Sequence, residues 1–169
     1  HGFSLQLAPK EVRHAALGRC SKIDFKASSY AILTSIALAI NPQLKVESLK
    51  SYIKYRTPIR IRIAKSVGIS EEWIKTIFTS LGFGAEVKDN PFNSIRNKLK
   101  QEKFNMLVAN QEFAYIKQEL DVVRDTILKS DYFSGDDFTI GGNTYTHLDS
   151  KTGMKRTKNK KLAWIYQAF

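Results

Sequence analysis

With 169 residues and 43% hydrophobic content, the chain has enough apolar material to bury one packed core, which excludes global disorder. Its 27 Lys+Arg against 16 Asp+Glu give a formal charge of +11, a positive field that attracts polyanions and favours nucleic acid over acidic small molecules. A lone cysteine, Cys20, excludes a disulfide framework and a cysteine-rich zinc site and fits a reducing, cytoplasmic setting.

The longest apolar run, residues 31–40, is broken by Thr34 and Ser35 and falls far short of the roughly 20 residues that cross a bilayer, so no membrane partner is expected. The start has no charged region or cleavage pattern of a signal peptide, and His1 stands where methionine would open a native chain. The chain reads as a piece of something longer.

In chain order, Pro9 in a first helical turn, apolar Val12, Ala15, Ala16 and Leu17, and a stop at Gly18 predict a short helix. Residues 21–25 alternate and predict a strand that delivers Asp24 to a strand-to-helix junction; residues 27–40 then predict an apolar helix ended by Asn41-Pro42. Val46, Leu49, Tyr52 and Ile53 have helical spacing, and Thr57-Pro58 predicts a fresh helix running to Gly68. Ser70 is a good N-cap, with Glu71 and Glu72 in the positive first turn of a helix that carries Trp73, Ile74, Ile77, Phe78 and Leu81.

Residues 95–101 and 111–129 predict two more helices, the second amphipathic through Phe113, Ile116, Leu120, Val123 and Ile127. The character changes at Ser134-Gly135-Asp136-Asp137: alternation around Gly141-Gly142-Asn143 predicts a hairpin over 138–147. A basic segment (Lys151, Lys155, Arg156, Lys158, Lys160, Lys161) leads into a last amphipathic helix with Leu162, Ile165 and Tyr166. The expected fold class is α+β, with a mainly helical region over 1–133 and a hairpin, basic segment and terminal helix over 134–169 of the same domain.

Three stretches carry candidate chemistry. Ala64, Gly68 and Ile74 stand where a helix-turn-helix needs a small residue, a turn glycine and a branched apolar residue. The same spacing is the packing rule for any two short helices at a steep angle, and Glu71 and Glu72 stand where DNA-contacting donors belong. A second stretch sets Lys75 about two turns ahead of Phe83 and Gly84, so that charge and ring lie on neighbouring faces of one helix. This stretch resembles motif B of the family A and single-subunit, phage-type polymerases. In that family the lysine meets the incoming triphosphate and the aromatic ring stacks near the base.

Ile23-Asp24-Phe25-Lys26-Ala27-Ser28-Ser29-Tyr30 resembles motif A of the same superfamily. The resemblance implies that Asp24 binds catalytic Mg2+ and that Ser29 or Tyr30 lies at the sugar-discrimination region. Phosphoryl transfer needs such carboxylates, because metal ions held by them lower the attacking hydroxyl's pKa and neutralise the transition state. The stretch from Lys158 to Gln167 is similar to the helix before motif C, whose basic start and late glutamine face the template-primer duplex.

The implied activity is template-directed nucleotidyl transfer, with nucleoside triphosphates and nucleic acid template and product as partners. By this resemblance Asp24 and Lys75 are catalytic, Phe83, Gly84, Ser29 and Tyr30 bind nucleotide, and the residues from Lys151 to Lys161 with Gln167 contact nucleic acid. The chain departs from the family in two places. Glu71 stands where a triphosphate-binding arginine is usual, with Arg60, Arg62 and Lys65 a helix earlier as substitutes; the second catalytic aspartate is expected beyond Phe169.

Other readings stay open. Gly135-Asp136-Asp137 matches the Gly-Asp-Asp turn of RNA-directed RNA polymerases, without that family's preceding motif, and is also ordinary turn chemistry. His147 ahead of the basic segment suits the acid-base residue of a small ribonuclease or toxin, and the helix-turn-helix suits a non-catalytic DNA-binding module. The three histidines, His1, His14 and His147, have no metal-ligand spacing, and there is no phosphate-cradling Gly-Lys-Ser/Thr loop.

Overall fold

In the computed structural model of the protein, the residues described are 28–135, 137–140, 143–146 and 153. Helix α1 spans Ser28–Ile40, α2 Glu47–Val67, α3 Glu71–Gly82, α4 Gln101–Ala109, α5 Gln111–Lys129 and α6 Asp131–Ser134. The helices α1, α2 and α4 all pack against α5, and α3 packs on α2.

Sequence explains why α5 holds this central place. Phe113, Ile116, Leu120, Val123 and Ile127 recur at three- and four-residue spacing and are all buried, forming one apolar stripe. Each fully buried Leu, Ile or Phe of this kind contributes roughly 1.5–3 kcal/mol. Asn110 caps the helix through Oδ1, which accepts the Phe113 N–H at 2.9 Å. From the middle of α5, Glu119 Oε2 accepts the Leu49 N–H at 2.8 Å, so one helix caps another and fixes where α2 begins.

An aromatic chain joins the remaining layers. Tyr52 stacks on Phe78 at 4.3 Å, Tyr30 lies 4.9 Å from Tyr52, and Phe78 meets Phe113 edge-on at 5.6 Å. Tyr30 Oη also donates to the Phe78 carbonyl at 2.6 Å, tying α1 to α3 across 48 positions of sequence. The two helices approach so closely that a Cβ on Gly82 would stand 2.8 Å from Ser29 Oγ and 3.1 Å from the Tyr30 ring.

Several expectations are corrected. The α+β class is overturned: every buried hydrophobic residue described lies on a helix, a helix end or a helix-helix connection, and among the described residues no sheet layer packs on the core. The hairpin expected over 138–147 fails as an architectural element for the same reason. Among the described residues the short segments β1 (Asp137–Ile140) and β2 (Asn143–Thr146) pair only with each other, and the described buried core ends at Phe133. A two-stranded ribbon of four-residue strands cannot shield an apolar face by itself. The strand expected before Asp24 lies outside the described residues, as do the expected helices at 9–18 and 162–169.

Helix boundaries also differ. The two helices expected over 46–67 form one run, kinked at Tyr55 (φ −121°, ψ 35°), three residues before Pro58. Proline lacks the N–H for the fourth carbonyl back and its ring crowds that carbonyl, so the chain bends rather than ends. In place of a helix over 95–101 there is a single 3-10 turn, Arg96–Lys98, and α4 follows where none was expected.

Candidate functional site

Helix α3 begins at Ser70, whose Oγ accepts the Trp73 N–H at 3.3 Å, and its first turn carries Glu71 and Glu72. The preceding corner closes through Gly68 in the left-handed region (φ 69°, ψ 45°), with its N–H on the Ala64 carbonyl at 2.8 Å. Ala64 and Ile74 are buried, so the helix-turn-helix spacing sets the angle at which α2 meets α3.

That angle opens a cleft of about 260 Å3 between α1, α2 and α3, lined by Ser28, Ser29, Tyr30, Tyr52, Arg56, Arg60, Lys75, Thr79 and Phe83. Ser29 and Tyr30, expected at a sugar, thus meet Lys75 and Phe83, expected at a triphosphate and a base. Phe83 is 57% exposed. Gly84 follows it, buried and at φ 95°, where an L side chain is strained.

Sequence reasoning did not single out Ser28, Tyr52, Arg56 or Thr79. The last three carried a signal: Tyr52, Arg56 and Arg60 recur every fourth residue on one helix, and Thr79 lies midway between Lys75 and Phe83. Of the three substitutes for the missing arginine, only Arg60 reaches the cleft. Arg62 points elsewhere, with Nε 3.3 Å from Glu112 Oε2, a bond that raises its pKa; Lys65 is exposed and outside the lining.

The electrostatics are those of a site for negative charge. Three cationic side chains line the cleft, and carboxylates outside its lining engage two of them: Glu71 Oε1 lies 3.4 Å from Arg60 Nη1, and Glu72 Oε2 lies 3.3 Å from Lys75 Nζ. Burial raises the Tyr52 hydroxyl to a pKa of about 12, against the smaller lowering effects of Arg60 and Arg56. Tyr52 therefore stays a neutral hydroxyl at working pH.

A larger groove of about 720 Å3 runs beside α5, between Val87, Val108, Val122 and the Lys117–Asp121 pair. It is mainly apolar and lacks the convergence of like charge that marks the smaller cleft. Asp24, His147, Asp136, Lys151, Lys155, Arg156, Lys158, Lys160, Lys161 and Gln167 lie outside the described residues. Among the described residues, no three His, Cys, Asp or Glu side chains are grouped to hold a metal ion. No described helix is long and apolar enough to cross a membrane. No protein-family model, curated protein or solved structure matches the chain.

Proposed function

We propose that the chain carries the nucleotide-binding face of a template-directed nucleotidyltransferase of the single-subunit, phage-type kind. One observation supports this above all: Ser29 and Tyr30 on α1, Lys75 on α3 and Phe83 at its C-terminal cap open onto one cleft together with Arg56 and Arg60. In this reading the cations take the phosphates, Phe83 stacks on the base, and the Tyr30 and Ser29 side of the cleft borders the sugar. Cationic donors near a phosphoryl group stabilise charge as it develops there.

The reaction class also draws on magnesium, which lowers the attacking hydroxyl's pKa and neutralises the transferring group. Asp24 is the residue proposed to hold it. The described part of the cleft fits the phosphates instead, because the two carboxylates outside its lining, Glu71 and Glu72, are engaged by Arg60 and Lys75. Template and product would meet the basic residues from Lys151 to Lys161 and Gln167, with binding that weakens as salt rises.

The test is equilibrium binding of a nucleoside triphosphate to the full chain. Lys75 is 53% exposed, so Lys75→Ala leaves the core intact. Loss of one charge-assisted contact should weaken binding by about tenfold or more. No detectable binding to the wild-type chain, or equal binding by the variant, would remove the proposal.

A further inference from the structure

Arg60 is set into the wall of the cleft rather than on its surface. It is 6% exposed, Nε donates to the Arg56 carbonyl at 3.3 Å, and Nη1 has Glu71 Oε1 at 3.4 Å. A charge-assisted guanidinium–carboxylate bond of full strength closes to about 2.7–2.9 Å, so this ion pair is loose. Its carboxylate belongs to a first-turn glutamate whose side chain is 32% exposed, so solvent borders it. Lys75 is treated alike by Glu72, at 3.3 Å from the next residue along.

Without these two carboxylates, Arg56, Arg60 and Lys75 would face one another across a small cleft with no counter-charge, which is costly for a guanidinium so deeply buried. A phosphoryl group offers the same planar guanidinium a stronger, forked partner. We infer that Arg60 is a phosphate-binding residue of this cleft and that Glu71 is its resident counter-ion, displaced when a polyphosphate enters. The inference rests on the reading of the cleft as a phosphate site. It assigns to α2 the guanidinium that α3 lacks at position 71. It also gives Glu71 a function: the cleft's positive charge is partly offset while empty, and its full positive field appears only when ligand exchanges with the carboxylate.

The experiment measures binding of inorganic tripolyphosphate to the full-length chain at fixed ionic strength. Glu71→Gln keeps the side chain's size and removes the competing charge, so affinity should rise about twofold to fivefold, the range of a partly exposed ion pair. Glu102→Gln, which removes one negative charge from the exposed first turn of α4, should leave affinity unchanged. Arg60→Gln should weaken binding by about tenfold or more and abolish the gain from Glu71→Gln in the double variant. If Arg60→Gln does not fold, Arg60→Lys takes its place, since it keeps the charge but loses the fork; the gain from Glu71→Gln should then shrink. No tripolyphosphate binding by the wild-type chain, an equal gain from Glu102→Gln, or a gain that survives without Arg60 overturns the inference.

Nucleoside triphosphate run in parallel separates this outcome from the polymerase reading. Coupling seen with tripolyphosphate but no tighter binding of the nucleotide would remove the polymerase and keep the exchange. Nucleotide binding that ignores positions 60 and 71 would do the reverse.

Discussion

A buried arginine packs against each end of helix α3, Arg124 from α5 and Arg60 from α2, and the two meet it differently. At the C-terminal end Arg124 is 4% exposed; Nη2 donates to the Leu81 carbonyl, while Nη1 lies 3.3 Å from Asp121 Oδ1. At the N-terminal end Arg60 is 6% exposed; its Nε donates to the Arg56 carbonyl of its own helix, and it meets α3 through the carboxylate of Glu71. A main-chain carbonyl has nowhere to go, whereas a first-turn carboxylate can swing into water. Burial alone therefore does not distinguish a structural cation from a ligand-binding one; what distinguishes them is whether the partner on α3 can leave. The fixed end positions Phe83 and Gly84, and the exchangeable end faces the cleft.

The largest effect should come from cutting the fixed end. Arg124→Met keeps the stem's bulk but strips the Leu81 carbonyl of its charged donor, leaving the Gly84 N–H, and the helix C-terminus of a favourable charge. Together these should cost roughly 3 kcal/mol of unfolding free energy, read by urea denaturation. A loss under about 1 kcal/mol would mean that α3 is not pinned there and the contrast between its ends is false.

A smaller effect tests the wall between the ends, where Tyr52 stacks on Phe78 and faces Arg56 and Arg60. Burial holds its folded-state pKa at about 12, above the ordinary 10.0, so the neutral hydroxyl is the form the fold prefers. The linked stability is fully present below pH 10 and is lost as pH rises through 12, because the unfolded chain releases that proton first. Tyr52→Phe keeps the stack and lacks the proton. Over pH 10–12 the wild type should therefore lose roughly 2 kcal/mol more than the variant. Parallel curves would show that the hydroxyl is solvated and the cleft wall open.

These contrasts were only partly legible in the sequence. Helix α5 could be read to its ends because its stripe is regular and Asn110 and Ser130 flank it. Helix α4 could not, since it buries only Phe104 and Leu107 and its N-cap, Lys100, makes no side-chain cap. The α+β reading failed because short alternating stretches signal strand locally, while the helices around α5 decide where the core lies. At the site, the spacing of Lys75 and Phe83 was visible along one helix. The meeting of Arg60 with Glu71 depends on the angle between α2 and α3, and Tyr52, Arg56 and Arg60 pass for a solvated helix face until α1 closes over them.

The smallest effect sharpens the comparison most. Ser70 Oγ accepts the Trp73 N–H, which also reaches the Ser70 carbonyl at 3.1 Å, so the cap supplements the first turn of α3 rather than creating it. Ser70→Ala should cost about 1 kcal/mol. Amide exchange locates the loss. The Trp73 and Ile74 amides, bonded only to Ser70, should exchange faster, while those of Gly84 and Ala85, bonded to Leu81 and Ser80 carbonyls beside Arg124, should not change. Faster exchange at both ends would make α3 one cooperative unit, and an exchangeable Glu71 could not then move without loosening Phe83.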